Sequence, residues 1–502
     1  MKAKPTVVIA GANGFVGQAV IEELEKDYRI IALSRSDKPN TENVEWRACD
    51  LFSMLQSEQA IHDADYAVYL VHSMLPAKLT QARFEDMDLI LADNFARAAA
   101  KAGVKQIIYL GGLMPHGGEL SRHLASRLEV EQVLEARGVP VTSLRAGLII
   151  GAGGSSFRIM LRLVQRLPAM LCPKWTKSRT QPIALQDVVR AIHHVLGNET
   201  CHGKALDLGG PDQMSYIEMM QTTAQTLFNK PRFIQTVPIL SAGLSVAWVR
   251  MVTGAHRELI KPLVQSLKHE MLATPCEELA PVLKNATPFR EALIRAVEAE
   301  AALQEPKAVK KAHLSRSDYW SRAPGYVVSI QRLPLPPGHD ARWVAREYAE
   351  WLPTLLRFIL TVRVDENRNV TFKLFGWSDD LLELTYAEER SSPDRPLYYI
   401  TGGCLAGPDV PEDHRTPARL EFRETPDRLH VMASIFNYRP TLPWAIYRFT
   451  QAPIHLFVMF SFRQHLRRIT EQLDAREGKR RAALSEEKFP KKGLPSLGSR
   501  SN

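Results

Sequence analysis

Three glycines, Gly11, Gly14 and Gly17, punctuate VVIAGANGFVGQAV at residues 7–20, and their spacing points more directly to chemistry than any other pattern in the chain. They stand between a β-branched apolar run and a helix-like pattern. There Gly11 permits a tight turn, Gly14 lets a pyrophosphate approach the backbone, and Gly17 allows a helix to pack closely on a sheet. The GxxGxxG spacing is close to the GxGxxG dinucleotide fingerprint without matching it. The helix start that follows offers free N–H groups and a positive dipole end, so Asn13, Phe15 and Val16 join the glycines as candidate dinucleotide contacts. Ser34 and Arg35, in IIALSRSDK, end the second predicted strand with a hydroxyl and a cation where an NAD-selective site places a carboxylate. They favour NADP(H), with NAD(H) as the alternative. Asp50 and Leu51, in ACDLFS, are placed to flank the adenine, a surface carboxylate being the other reading of Asp50. Val71, His72 and Ser73, in YLVHSM, border the ribose as the fourth strand ends.

The elements that must position these residues are legible as alternation. Val7 to Ala10, Ile30 to Leu33, Tyr66 to Val71, Ile107 to Leu110 and Val141 to Leu144 are apolar and strand-like, separated by helical stretches such as Gln18 to Lys26 and Met87 to Ala102. Buried strands alternating with amphipathic helices imply an α/β fold with a Rossmann-like, doubly wound parallel sheet.

At 502 residues, 45% of them hydrophobic, the chain is long enough for two or three domains with sizeable cores. Its formal charge of +9 is concentrated at the end: residues 476–502 hold eight Lys/Arg against three Asp/Glu. That polar segment reads as part of a disordered basic tail over 475–502. No zinc finger, RNA-binding signature or aromatic-interleaved basic stripe accompanies the charge, which argues against a nucleic-acid role. Cys49, Cys172, Cys201, Cys276 and Cys404 are far apart and outside any metal-ligand spacing, so they read as reduced thiols, and no metal site is expected. The start MKAKPTVV has no export-signal pattern, which implies a cytoplasmic protein.

With LRAGLIIGAGGSSF at 144–157 and SRTQPIALQDVVRAI at 178–192 added to the first motif, residues 5–290 resemble the extended or atypical short-chain dehydrogenase/reductase superfamily. The segments LVHSM, LRAGLIIGAG, KSRTQPIAL and LVQSLKHEML also resemble bacterial NAD(P)-binding proteins that carry a C-terminal domain of unknown function. The resemblance implies a nicotinamide cofactor, and in active members a Tyr-x-x-x-Lys pair on one helical face with a Ser or Thr after the fifth strand. Here the serine region is Gly111-Gly112, and the matching helix positions are His123 and Arg127. Two readings stand open: His123 as a substitute acid, since imidazole titrates near neutrality, with Arg127 as the ribose or phosphate anchor, or two ordinary polar positions on an amphipathic helix. His72 with Ser73 is a second candidate pair, and His116 a third site. Arg158, Arg162 and Arg166 read either as solvated helix charges or as cations facing an acidic ligand. The resemblance implies an oxidoreductase acting on an apolar carbonyl, or a non-catalytic NADP(H)-binding sensor or scaffold.

The expected organisation is a nucleotide domain over 1–295 with its substrate lobe at about 205–295, a linker at 296–318, and a C-terminal α+β domain at 319–474. In that last domain a strand, a helix over 341–359, a run of short strands and a terminal helix from about Leu442 follow the order of a helix-grip, lipid-transfer-like fold. LPWAIYRFTQAPIHLFVMFSF, at 442–462, has the length of a membrane span but is broken by Arg448, Gln451, Pro453 and His455. It reads as a packed helix of the fold. The other reading is peripheral contact of 442–481 with the inner membrane, Trp444, Tyr447 and Phe449 lying at the headgroups.

Overall fold

The computed structural model describes residues 4–72, 80–115, 117, 120–237, 242–254, 269–304, 326–406 and 417–488. The chain divides into two units, the first formed by residues 1–78 and 82–322, the second by residues 79–81 and 323–502.

The nucleotide half of the first unit runs β1 (Thr6–Ala10), α1 (Phe15–Leu24), β2 (Arg29–Ser34), β3 (Val44–Ala48), α2 (Met54–Ile61) and β4 (Tyr66–Tyr69). β5 (Thr80–Gln81), which belongs to the second unit, precedes α3 (Phe84–Ala102), β6 (Gln106–Gly112), α4 (Arg122–Glu135) and β7 (Val141–Ala146). After β8 (Ile149–Ile150) come α5 (Ser155–Arg166), β9 (Ala169–Pro173), β10 (Arg179–Thr180), β11 (Ile183–Ala184), α6 (Leu185–Val195) and β12 (Ala205–Leu208). The lobe continues with β13 (Met214–Ser215), α7 (Tyr216–Phe228), β14 (Phe233–Val237), α8 (Ala242–Thr253), α9 (Ala280–Leu283) and α10 (Phe289–Gln304).

Seven of these strands form one parallel sheet in the order β3-β2-β1-β4-β6-β7-β12. Helices cover both faces, which is why the strands are nearly continuous apolar runs and Val7, Val8, Ile9, Ile30, Ile31 and Val68 are fully buried. The strand order reverses at β1, which pairs with β2 on one side and β4 on the other. In open α/β sheets such a switch point leaves a crevice at the carboxyl ends of the strands, and Gly11 and Leu70 stand at that end of β1 and β4.

The second unit consists of β15 (Val327–Pro334), α11 (Ala341–Leu355), β16 (Leu360–Val364), β17 (Val370–Leu374), β18 (Asp380–Tyr386), β19 (Leu397–Gly402), β20 (Arg419–Glu424), β21 (His430–Tyr438), α12 (Trp444–Phe449) and α13 (Gln451–Lys488). The sheet order is β16-β17-β18-β19-β20-β21-β15, antiparallel throughout, with β5 added in parallel at the β15 edge. A strand, a helix, a run of short strands and a terminal helix is the element order read from the sequence, and the run counts six strands here. Between α11, α13 and the sheet, Phe462 packs against Tyr348 and Trp351 with ring centroids 5.1 Å apart in both pairs.

Three expected boundaries move. Residues 296–304 are the last turns of α10 rather than linker, because Ala- and Glu-rich sequence is a good helix former and Ala296 and Glu300 are buried against the first unit. The unit boundary lies at 322/323, and Thr80 and Gln81 join the second unit through pairing with β15 that no local pattern announces. Residues 475–488, expected as disordered tail, continue α13. No helix among the described residues is long and apolar enough to cross a membrane.

Candidate functional site

The glycine turn is built on sterics. Gly11 has φ +85°, and a Cβ there would lie 3.0 Å from the Leu70 carbonyl carbon; at Gly17 a Cβ would lie 2.3 Å from the Gly11 oxygen. Neither position accepts a side chain without moving backbone. Gly14 differs: its N–H donates to the Gly11 oxygen at 2.8 Å, and a Cβ would meet only that oxygen, at 3.0 Å. Gly14 caps α1 with no side-chain hydrogen bond, and no carboxylate lies in the first turn. The N–H groups of Phe15, Val16 and Gly17 therefore present an uncapped positive helix end, a cradle that fits a dinucleotide pyrophosphate.

Farther along the crevice, Asn13 donates from Nδ2 to the Ser34 hydroxyl at 2.8 Å. Ser34 is buried and also accepts from the Ser36 N–H at 3.3 Å, so its oxygen is committed to bracing the turn. Arg35 is exposed. Lys38, which is not among the residues expected from the sequence, contacts the Asn13 Oδ1 and lies 4.1 Å from the centroid of the Trp46 ring. Burial lowers its pKa. The SRSDK run held that signal, since a second cation three residues after Arg35 belongs to the same loop.

The ACDLFS segment is held from below: Asn94 of α3 donates to the carbonyls of Leu51 and Phe52 at 2.8 and 3.0 Å. Asp50 accepts from the Phe52 N–H at 3.1 Å, and its own N–H donates to Gln56 at 2.8 Å. Val71 is half-buried. Ser73 and His116 lie outside the described residues.

A cavity of about 660 Å³ opens beside the turn. Phe15 and Val16 line one end; Leu70, His72, Gly111, Gly112, His123 and Arg127 line its middle; Met160, Leu171, Trp175, Tyr216, Met220 and Met271 carry it into the lobe. Most of this wall is apolar. The structure thus brings His72, His123 and Arg127 to one cavity, from the end of β4 and one face of α4. Gly111 and Gly112 line it where a hydroxyl was sought, and a Cβ on Gly111 would stand 2.9 Å from the Tyr109 ring, so a serine there would displace Tyr109.

Arg127 is buried, with a guanidinium nitrogen 3.8 Å from the Asp88 carboxylate, and its carbonyl accepts from the Tyr109 hydroxyl at 3.2 Å. Burial, then the Arg127 charge, pushes the His123 imidazole down to about 4. Burial, then Arg127 and His123, pushes His72 down to about 3, although its ring opens onto the cavity and is exposed, so water in the cavity offsets part of that burial effect. Both rings are neutral at pH 7. The expectation that His123 titrates near neutrality fails for this reason: the cavity wall and a permanent cation both disfavour its protonated form.

Of the three arginines of α5, Arg158 is half-buried in an ion pair, whereas Arg162 and Arg166 are exposed, as solvated helix charges would be, and each also meets a backbone carbonyl. Arg158 donates to Glu300 at 2.7 Å, and the other Glu300 oxygen accepts from the Gly153 N–H at 2.9 Å. Arg162 donates to the Thr253 carbonyl at 3.0 Å and Arg166 to that of Val252, so both satisfy open carbonyls at the C-terminal end of α8. Asp187, in the QDVVRAI stretch, accepts from the Thr287 N–H at 2.7 Å and is a structural tie.

Residues 11–165 match a family model described as NAD(P)H-binding. The auxiliary protein GraX of Staphylococcus aureus is 40% identical over 113 residues, which is 22% of this chain and 37% of that protein; the chain spans little more than a third of this relative's length. An uncharacterized chloroplastic protein of Arabidopsis thaliana is 28% identical over 235 residues, 40% of this chain and 69% of that protein. Among solved structures, a nucleoside-diphosphate-sugar epimerase from Staphylococcus aureus aligns at TM-score 0.47 and 15% identity, covering 58% of this chain and 99% of that one. MoeE5 in complex with UDP-glucose and NAD aligns at TM-score 0.45 and 18% identity, covering 60% and 99%.

Proposed function

We propose that the protein is an oxidoreductase of the atypical short-chain dehydrogenase/reductase type, preferring NADP(H), that acts on an apolar carbonyl or enone; the match of residues 11–165 to an NAD(P)H-binding family supports the nucleotide half of this reading. The observation that carries this reading is an apolar cavity lined by Phe15 and Val16, by His123 and Arg127, and by residues of the lobe. When bound, the nicotinamide supplies or accepts the hydride. Phe15, Val16 and Gly17 would hold the pyrophosphate through backbone N–H groups, with Gly14 leaving room for its approach, and Arg35 with Lys38 would face the 2′-phosphate. His123, neutral, holds an N–H donor against the substrate oxygen. The fixed charge of Arg127 favours negative charge developing there, and the apolar wall excludes water and strengthens that attraction.

The test is NADPH oxidation with a panel of apolar ketones and enones, on the native chain and on His123→Ala. Turnover that falls by about 100-fold in the variant with nucleotide affinity retained supports an enzyme in which His123 contributes. Gly111 and Gly112, where a polarising hydroxyl was sought, favour a second reading: a nucleotide-binding sensor or scaffold whose cavity takes an apolar ligand without turnover. Nucleotide-dependent ligand binding with no NADPH oxidation across the panel would replace the first reading with the second.

A further inference from the structure

The second unit carries a helix that is apolar on two opposite faces. Toward the sheet, α13 buries Val458, Met459, Phe462 and Leu466. Outward, Ile454, Leu456, Phe457 and Phe460 are 58, 42, 57 and 56% exposed, and Phe449 at the end of α12 is 77% exposed. Phe457, Phe460, Gln464 and then Arg467 and Arg468 follow one another at three- and four-residue spacing, so an apolar stripe two turns long passes into cations on the same side. Soluble surfaces rarely leave this many large apolar side chains contiguous without an occupant.

Charge indicates the occupant. Between Arg439 and Thr470 the chain has five arginines and no carboxylate. Of these, Arg439, Arg448, Arg467 and Arg468 are exposed. Another exposed apolar group of this unit, Phe358, Phe375 and Trp377, instead lies among exposed charges of both signs, Arg357, Arg363 and Arg368 with Asp365, Glu366 and Asp379. Tyr447, one of the aromatic residues expected at the headgroups, is buried at 5% exposure, and the side chain of Trp444 lies outside those described. Phe449 with the Ile454–Phe460 stripe forms the exposed face in their place.

We propose that this outer face of α12 and α13 rests on an anionic lipid surface, with Phe449, Phe457 and Phe460 at the acyl boundary and Arg448, Arg467 and Arg468 among the headgroup phosphates. An interfacial helix combines a large apolar face with basic flanks in this way, and the length of α13 is no obstacle because it lies in the membrane plane rather than across it.

The test is cosedimentation of the full chain with vesicles of phosphatidylcholine alone and of phosphatidylcholine mixed with phosphatidylglycerol, at low and high salt. Binding to the mixed vesicles that weakens with salt is expected. The pair Phe457→Glu and Phe460→Glu should lower partitioning by about tenfold or more, and the pair Arg467→Gln and Arg468→Gln by about tenfold with a shallower salt dependence. Circular dichroism checks that the phenylalanine variant folds, and the arginine variant, at exposed positions, tests the proposal if it does not. Failure of the native chain to bind the mixed vesicles at low salt would overturn the proposal. So would light scattering that shows a dimer which the phenylalanine pair converts to monomer, because the stripe would then cover a second copy of the chain.

Discussion

The two ends of the nucleotide cleft are built on different principles. At the glycine turn, the shape comes from one short segment whose atoms leave no space for a side chain at Gly11 or Gly17. Farther along the cavity, His72, His123 and Arg127 arrive from two elements, and their chemistry depends on what surrounds them. The first kind of site is a property of spacing, the second of environment. A substitution in the turn should therefore act through shape and fail abruptly, whereas one at the His123 end should act through charge and water and fail by degrees.

The largest effect is expected at Gly17→Ala. A Cβ placed 2.3 Å from the Gly11 oxygen forces backbone apart, and the NADPH Kd should rise by about 100-fold or more, the equivalent of the ~3 kcal/mol that severe overpacking costs. Titration calorimetry reads this directly; an unchanged Kd would mean that the turn is not the phosphate cradle. His123→Ala should lower kcat on the best carbonyl substrate by about 100-fold while leaving the nucleotide Kd within about twofold. Equal losses in both would make His123 a packing residue and erase the contrast between the two ends.

Arg35→Asp and Lys38→Ala sharpen the comparison inside the turn itself. Each should weaken NADPH by about tenfold, one charge-assisted hydrogen bond, and leave NADH unaffected. A parallel loss for both nucleotides would place these cations on the shared pyrophosphate. Glu300→Ala removes the partner of half-buried Arg158 and of the Gly153 N–H, and should lower stability by about 1–3 kcal/mol in urea unfolding with nucleotide affinity little changed.

A further effect concerns pH. Folding depresses His72 and His123 to about 3 and 4, so the unfolded chain takes up protons first as pH falls through about 6.5. Their contribution to stability is fully present above about 6.5 and declines toward pH 4. A melting temperature that drops with acid over this window, with a shallower slope in His123→Gln, is expected. A rate profile inflecting near 6.5 would show instead that His123 titrates as a free imidazole.

The strands of the parallel sheet were legible because each is a short apolar run buried on both faces, and the order of elements in the second unit because strand alternation is local. Arg158, Arg162 and Arg166 show where that legibility stops. Their spacing is compatible with an anion site, and only Glu300, about 140 residues later, decides that Arg158 is an internal tie, while exposed Arg162 and Arg166 reach the carbonyls at the end of α8. Lys38 was visible beside Arg35, but its place against Asn13 and Trp46 depends on how the loop after β2 folds back over the turn. The last turns of α10 had been read as linker because their composition fits either; burial of Ala296 and Glu300 settles it.

What the amino-acid sequence determined alone was the nucleotide turn, the parallel alternation around it, and the absence of the Tyr-x-x-x-Lys pair, since each follows from residue type and spacing over a few positions. What only the tertiary structure decided was which polar groups meet in the cavity, that His72 and His123 are neutral there, and which side of α13 is left without a neighbour. Protonation and exposure are set by atoms brought together from distant parts of the chain, and no local pattern records them.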